Sequence, residues 1–307
     1  MQTNNLFPRL FGLKPILPYN TVMDKNKKSH KLRWYVLGGI GLILIIFVAW
    51  QELKKVPTTG DWWPALSKLS TAEFNGNFVT VHNVRNFQYN GSETNPIPAW
   101  YDKTYDLNKL TKVWYISDPF KGLSIAAHTF VSFEFSNGDF LSISIEARKV
   151  QGQTYNLFSG MLHTYPLMYI AADEHDTVFV RANVDKDDLY MYPVKLQDPG
   201  HAKLLLTDML EKMNSLAVRP EWYNTVTANC TSQIAWHINK LFPGRLPRIA
   251  WQTQLSGYAD KLALQQGMLD TDLPLDQARK KYYVTAKSQK IGYVANYSSL
   301  IRQFDAK

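Results

Sequence analysis

The sequence of 307 residues has a single cysteine, Cys230, so no disulfide can form within the chain. It has no metal-ligand spacing, P-loop or dinucleotide-binding fingerprint, so we expect neither a metal nor a cofactor. It shows no internal repeat at the period of solenoids or propellers. The net charge of +8 comes without basic residues interleaved with aromatic ones. The sequence therefore gives no support for a nucleic-acid partner.

Charge is missing altogether from residues 34–50, WYVLGGIGLILIIFVAW, which have aromatic residues at both ends. A helix of about 17 apolar residues with such ends is long enough to cross a bilayer. The alternative is a cleaved signal peptide, which would have a shorter apolar core and small residues at its cleavage site. The following QELKKVPTTGDWWP has no A-x-A pattern. We therefore predict one uncleaved transmembrane helix over 34–50.

Basic residues lie mainly on one side of this helix. Five of them fall within 25–33, whereas Lys54 and Lys55 are the close ones on the other side. The positive-inside rule then predicts that residues 1–33 are cytoplasmic and that the chain from residue 51 lies outside. Met23, followed by DKNKKSHKLR, resembles a typical start, so we expect the first 22 residues to be either untranslated or disordered.

The outer part is predicted to be one α+β domain, 76–307, joined to the membrane helix by a linker, 51–75. Turn signals and strand-like alternation come first, and helical periodicity follows from His201 onward. A proline-containing loop is predicted over 92–103. The predicted strands are 78–84, 112–117, 122–135, 139–150, 167–172, 177–184 and 189–196, and the predicted helices are 202–217, 230–241, 256–267 and 275–281.

Cys230 is the residue on which the chemistry depends. Asn229 is a favourable N-cap, and an apolar stripe of helical period follows it, so Cys230 is expected in the first turn of a helix. The free N–H groups and the dipole at that end stabilise a thiolate. The residues alone are equally consistent with a small buried hydrophobic side chain that has no reactivity.

A thiolate nucleophile needs a base, and two histidines are candidates. His237 is seven residues beyond Cys230 on the same predicted helix, about 10 Å away, so we expect it on the helix surface. His128 lies in the predicted strand 122–135, whose apolar face alternates with a polar one that includes His128.

The hairpin formed by strands 122–135 and 139–150 determines what His128 faces. A three-residue turn at 136–138, SNG, with a left-handed glycine brings the two apolar faces into register. Phe135 then pairs with Asp139, and His128 stands opposite Glu146, at the distance of a cross-strand pair. A carboxylate beside an imidazole is the arrangement of a Cys-His-acid triad. The alternative is a polar hairpin face that is exposed to water.

These residues resemble a known family. The stretches Asn229-Cys230-Thr231, Ala127-His128-Thr129-Phe130 and Ser144-Ile145-Glu146-Ala147-Arg148 look like the periplasmic domain of the Lnb-type lipoprotein N-acyltransferases, long known as DUF4105. The resemblance spans roughly residues 76–285. Further matching stretches are NVRNF at 83–87, WYD at 100–102, TYDL at 104–107, DE at 173–174, YMYP at 190–193, GYAD at 257–260 and GM at 267–268.

The resemblance implies a permuted papain-like cysteine fold, similar to that of NlpC/P60 proteins and lecithin–retinol acyltransferases. By motif position, Cys230 would be the nucleophile, His128 the base and Glu146 the orienting acid. Arg148 would bind a lipid phosphate or support the site, Asn229 would place the thiol or an oxyanion donor, and Thr231 belongs to the same motif. The resemblance also implies a bacterial inner-membrane protein with a periplasmic domain.

Three functions remain open. The first is an acyltransferase or acyl hydrolase that takes an acyl chain from membrane phospholipid through a thioester on Cys230, with a lipoprotein as one potential acceptor. The second is an envelope cysteine peptidase or amidase with a peptide substrate, and the third is a non-catalytic assembly protein. Acyltransferases of the family carry further transmembrane helices after this domain, whereas the sequence here has no second apolar segment, so we expect acceptor and lipid handling to differ.

Overall fold

The computed structural model describes residues 23–89, 96–247 and 250–304, with side chains from His30 onward. The chain divides into an N-terminal unit that ends at Lys54 and a folded unit that begins at Lys55. The expectation for the first 22 residues, and part of the predicted loop 92–103, lie outside the described residues.

Within the described residues, the N-terminal unit contains one helix, α1 (Met23–Glu52). Its stretch His30–Glu52, with a mean hydropathy of 2.1, is long and apolar enough to cross a membrane. The predicted apolar helix 34–50 lies within it. The helix extends further on both sides because the polar flanking residues, such as lysine and glutamate, are themselves good helix formers.

The folded unit mixes strands and helices. Its strands are β1 (Thr71–Asn75), β2 (Phe78–Arg85), β3 (Trp100–Asp106), β4 (Leu110–Phe120), β5 (Leu123–Phe135), β6 (Phe140–Ala147), β7 (Leu167–Ala172) and β8 (Tyr190–Pro193). Its α-helices are α2 (Leu157–Gly160), α3 (Glu174–Phe179), α4 (Gly200–Val218), α5 (Cys230–Leu241), α6 (Trp251–Gln254), α7 (Ala259–Gln265), α8 (Leu275–Lys281), α9 (Thr285–Ile291) and α10 (Tyr297–Ile301). The fold class is therefore α+β, as predicted.

All the strands belong to one sheet with the order β1-β2-β7-β6-β5-β4-β8, and β3 pairs with β2. The central β5–β6 hairpin has the predicted register: Phe130 pairs with Ser144, and the Phe135 N–H donates to the Asp139 carbonyl at 2.9 Å. Gly138 has a φ of 84°, the left-handed conformation that the turn requires.

Helices cover both faces of this sheet. On one face the apolar side chains of β5 and β6 pack against α4 and α5, in a core that includes Val131, Ile143 and Met209. On the other face Phe130 packs with Val178 of α3. The polar face of the hairpin is therefore buried under helices, and the alternative of a water-exposed face is excluded.

The segment after α10 closes the polar face of the hairpin. Arg302 donates through one terminal nitrogen to the Glu174 carboxylate at 2.7 Å and through the other to the Ser132 hydroxyl at 3.2 Å. Glu174 is 1% exposed, so Arg302 neutralises a carboxylate that water cannot reach.

Three segments differ from the prediction. Residues 177–184, predicted as a strand, instead continue α3 into a π-helical turn, Val180–Val184. The predicted loop 92–103 overlaps strand β3, which begins at Trp100. The predicted linker 51–75 contains a 3-10 turn, Pro64–Leu66, and strand β1, which pairs with β2.

Candidate active site

Cys230 is the first residue of α5. Asn229 caps the helix: its side chain accepts from the Ser232 N–H at 2.8 Å, and the Ser232 hydroxyl accepts from the Asn229 N–H at 2.9 Å. This reciprocal pair is a capping box. The thiol is therefore held at a helix N-terminus, as predicted, where the local dipole favours an anion.

His128 and Glu146 lie opposite each other, beyond the last paired residues of the β5–β6 ladder. Their side chains meet, with His128 Nε2 at 3.2 Å from Glu146 Oε1. The Ser144 hydroxyl lies 2.8 Å from the same imidazole nitrogen and donates to Glu146 Oε1 at 2.7 Å. Since both partners contact Nε2, the nitrogen left for Cys230 is Nδ1.

The electrostatics of the three groups favour an ion pair. Burial raises the pKa of the Cys230 thiol, but hydrogen bonding to His128 and its charge outweigh that effect and lower the pKa below its ordinary value. Burial lowers the pKa of His128, but the Glu146 charge and a hydrogen bond to Cys230 raise it to about 10. Despite burial, His128 and Arg181 hold the pKa of Glu146 well below its usual range.

Arg181 is a site residue that the sequence reasoning missed. Its guanidinium lies 3.2 Å from Asp118 and 3.6 Å from Glu146 and stacks over Phe130. Asp118, opposite His128 on β4, has a pKa raised to about 6 by burial, although Arg181 opposes this rise. No sequence pattern marked Arg181 as a site residue, because it lies in residues 177–184, which are predicted as a strand.

A cavity of about 360 Å³ opens where β5 and β6 separate. Cys230, His128 and Glu146 line it together with Arg181. Its other walls combine charged side chains, such as Asp187 and Lys149, with aromatic and apolar ones, which include Trp63, Leu66, Phe120, Tyr155, Leu157 and Tyr223. The site can therefore receive a substrate with both a polar and an apolar part.

The three supporting residues named from the motif have different placements. Thr231 bonds through its hydroxyl to the Thr129 hydroxyl at 2.8 Å, which fixes α5 to β5. The Asn229 amide donates to the Thr225 carbonyl at 2.7 Å and orients the loop before the nucleophile. Arg148 lies behind the cavity wall and does not line the cavity.

Arg148 holds the segment before β1 in place. Its guanidinium donates to the carbonyls of Leu66 at 2.9 Å and Ser67 at 2.8 Å and stacks over Trp62. Burial lowers its pKa to about 10. Leu66 lines the cavity, so Arg148 supports one wall of the site from behind, and this position does not suit contact with a lipid phosphate in the cavity.

The expected surface position of His237 is wrong. The residue is completely buried, with its Nδ1 2.6 Å from Asp208 Oδ2 and its Nε2 3.0 Å from the Tyr169 hydroxyl. These bonds tie α5 to α4 and β7. The prediction considered only the distance of His237 from Cys230 along α5, and α4 and β7 cover the helix at that turn.

A second cavity, of about 150 Å³, lies along α5 beyond the nucleophile. Its lining is mostly apolar and includes Thr231, the residue after Cys230. Across the described ranges, no group of three or more His, Cys, Asp or Glu side chains could hold a metal ion.

A family model described as the Lnb N-terminal periplasmic domain matches residues 97–257, which is 161 of the 307 residues. The matched region contains His128, Glu146 and Cys230. No curated protein matches the chain, and no solved structure matches it. The chain belongs to the family of the Lnb N-terminal periplasmic domain, and its apolar N-terminal helix fits the single membrane anchor of an envelope protein.

Proposed function

We propose that this protein is a membrane-anchored cysteine acyltransferase or acyl hydrolase that works through an acyl-thioester on Cys230. The observation that carries the proposal is the joint placement of Cys230, His128 and Glu146 around one cavity. Each has a pKa shift of the sign that its role needs: the pKa of the thiol is lowered, that of the imidazole is raised and that of the carboxyl is lowered.

In the first half-reaction, the Cys230 sulfur attacks the ester carbonyl of a phospholipid. The carbonyl electron pair moves to its oxygen, and a tetrahedral intermediate forms. When it collapses, the bond to the lipid alkoxide breaks, and the His128 imidazolium donates its proton to that alkoxide. The products are the acyl-thioester on Cys230 and a lysophospholipid.

The negative oxygen of the intermediate needs donors. The free N–H groups in the first turn of α5 supply one kind. The Tyr223 hydroxyl is a second candidate, since Tyr223 lines the cavity and burial, followed by the charge of Cys230, raises its pKa, which keeps the hydroxyl protonated. We assign Tyr223 this role.

In the second half-reaction, an acceptor attacks the thioester while neutral His128 removes its proton. The Cys230 thiolate then leaves, and the free enzyme is restored. An amine acceptor, such as the N-terminal cysteine of a lipoprotein, gives acyl transfer, and water gives hydrolysis. Glu146, itself held by Ser144 and Arg181, keeps the imidazole oriented through both steps.

Two features favour an acyl chain over a peptide. Part of the wall of the Cys230 cavity is apolar and aromatic, and the second, mostly apolar cavity is lined by Thr231, the residue after the nucleophile. An envelope cysteine peptidase would use the same three residues, and the charged end of the first cavity at Asp118 and Arg181 favours it as the second candidate.

The order of these elements supports a permuted papain-like arrangement, with the histidine strand before the cysteine helix. The basic flank of α1 supports a cytoplasmic N-terminus and a periplasmic domain in the bacterial inner membrane. Both are parts of the proposal.

The test is the intact mass of the full chain after incubation with phospholipid vesicles, beside Cys230→Ser as the matched control. We expect a fatty-acyl mass increment on the wild type that hydroxylamine removes and that the variant lacks. No increment and no release of fatty acid from the vesicles, with Cys230 still readily alkylated near neutral pH, would overturn the acyl-thioester and favour the peptidase. If Cys230 is neither acylated nor alkylated, the result would favour a non-catalytic assembly role.

A further inference from the structure

The short helix α2 and the two residues after it expose four apolar side chains. Phe158 is 75% exposed, and Leu157, Met161 and Leu162 are 39%, 42% and 42% exposed. Val226, in the loop before α5, adds a further 39% exposed side chain. We call these five residues the α2 surface. Contiguous exposed apolar side chains mark an interaction site more often than isolated ones do.

The two segments that form this surface also lack charge. No Asp, Glu, Lys or Arg occurs in residues 150–172 or in residues 222–239, although such residues make up 20% of the chain. A protein partner would tolerate a charged rim around an apolar patch. A hydrocarbon phase does not, because each charged side chain is costly to insert.

The α2 surface is continuous with the candidate active site. Leu157 lines the cavity of Cys230. Thr225, next to Val226, donates its N–H to the Gly160 carbonyl at 3.1 Å and its hydroxyl to the Leu157 carbonyl at 2.9 Å. The Thr225 carbonyl in turn accepts from the Asn229 amide, so α2 and the loop before the nucleophile form one hydrogen-bonded unit.

The chain enters the folded unit close to the start of the uncharged segment 150–172. The Gln151 N–H donates to the Asp61 carbonyl at 2.7 Å, and Trp62 pairs with Val150. Only residues 53–60 separate Glu52, the last residue of α1, from Asp61. That length of chain spans at most about 32 Å. The uncharged segment 150–172 thus begins where the linker after α1 joins the folded unit.

We propose that the α2 surface inserts into the lipid bilayer and thereby places the mouth of the Cys230 cavity against membrane phospholipid. The inserted side chains would reach about 5–10 Å into the boundary between headgroups and acyl chains, as in other interfacial helices. The proposal rests on exposure, composition and connectivity and requires no acyl transfer, although it would supply the lipid substrate of the proposed function.

The test uses the full chain in vesicles of phosphatidylethanolamine and phosphatidylglycerol. Cys230→Ser is combined with Phe158→Cys, so that an environment-sensitive fluorophore can be attached at residue 158 alone. The matched control carries Phe78→Cys in the same background. Phe78 is also well exposed, at 51%. It lies away from the α2 surface: its neighbour Asn77 bonds to Lys203 in the first turn of α4, whereas the uncharged segment that starts at Trp222 follows the last turn of that helix.

We expect the label at residue 158 to emit at shorter wavelength and to be quenched by lipids that carry a nitroxide near the glycerol end of the acyl chain. The label at residue 78 should show neither effect. Equal emission and no quenching at either residue would overturn the proposal. A blue shift at residue 158 without quenching would also overturn it and assign the surface to a protein partner or a second copy of the chain.

Because this readout is made in the Cys230→Ser background, it is independent of whether Cys230 forms a thioester.

A second pair of variants makes the test sharper: Met161→Cys carries the label, with and without the further substitution Phe158→Asp. An inserted surface predicts that quenching at residue 161 is lost when Phe158→Asp is added, because the new carboxylate is costly to insert, while the melting temperature stays unchanged. Undiminished quenching would contradict insertion through α2.

Discussion

All three site side chains depend on their neighbours for their charge. Glu146 stays ionised because His128 and Arg181 are close, and His128 binds its proton tightly because Glu146 contacts its Nε2. Cys230 ionises readily in turn because the imidazolium faces it. A change at any of these residues is therefore expected to appear in the titration of the others.

The first prediction concerns the pH dependence of Cys230 alkylation. The thiolate exists above the lowered pKa of the thiol, so the inflection of the rate should lie below pH 9.0, the ordinary pKa, and the rate should then stay constant as pH rises. In His128→Ala, burial acts without the imidazolium, so the inflection should move to higher pH than in the wild type. Iodoacetamide labelling followed by mass spectrometry measures both. An inflection that is the same in the two proteins would contradict the ion pair.

The second prediction ranks the residues around His128 by the rate of thioester formation. His128→Ala should lower it by about 10²–10⁴-fold because the acid–base group is lost. Glu146→Gln should lower it less, and Ser144→Ala, which removes one hydrogen bond to Nε2, by up to about tenfold. Equal indifference to the first two changes would exclude the triad.

At the scale of residues, the sequence predicted the site groups whose positions follow from one local pattern. It missed the groups whose positions depend on tertiary contacts. The register of one hairpin is enough to pair His128 with Glu146. Arg181 follows Glu146 by 35 positions and Tyr223 precedes Cys230 by seven, and no local period indicates that their side chains line the same cavity. His237 illustrates the same limit, since its burial depends on α4 and the sheet.

At the scale of elements, the position of α5 determines where the thiol lies. The capping box fixes where the helix begins, and the Thr129–Thr231 bond fixes its distance from β5. Two contacts from different elements thus position one residue.

The third prediction tests the cap. Asn229→Ala should lower the free energy of unfolding by about 1–2 kcal/mol, because the Ser232 N–H loses its acceptor. Asn229→Ser restores an N-cap acceptor but not the amide that donates to Thr225, so its loss of stability should be smaller. Thermal unfolding measures both variants. Equal losses would show that the cap itself contributes nothing.

The fourth prediction concerns the close approach of the 3-10 turn Ser256–Tyr258 to β5. A Cβ at Gly257 would lie 2.1 Å from the Ser124 carbonyl oxygen, so Gly257→Ala must push the two elements apart. It should lower stability by about 1–3 kcal/mol and slow Cys230 acylation. Ser256→Ala is the control, since it removes only the bond to the Ala127 N–H. A Gly257→Ala variant as stable as wild type would contradict this close packing.

Elements were predictable where one local rule decided them. The β5–β6 hairpin followed from its turn and its alternation, and α5 followed from its cap and stripe. Residues 177–184 alternate like a strand, but the side chain of Asp173 accepts from the His175 N–H and starts a helix. Contacts with the sheet, such as the Thr177–Ser142 bond at 3.0 Å, then outweigh the strand propensity of Val and Phe.

At the scale of the whole molecule, the family and the apolar helix together fit an envelope protein with one membrane anchor. The fifth prediction concerns orientation. Alkaline phosphatase fused after Lys307 should be active, because the basic flank 25–33 stays in the cytoplasm and the domain is exported. A fluorescent reporter that folds only in the cytoplasm should be dark at the same position. The reverse result would place the domain on the cytoplasmic side.

The contact of Arg302 with Glu174 and Ser132 has a consequence for biosynthesis. Arg302 follows these two residues by 128 and 170 positions in the chain. At about 5–20 residues per second, the ribosome needs about 6–26 seconds to add the first of these intervals. Until then the Glu174 carboxylate has no counter-ion and its burial is unfavourable. The polar face of the hairpin, which carries His128 and Glu146, therefore lacks this closing contact until nearly the whole domain has been made, and we expect the cavity around Cys230 to assemble late in synthesis.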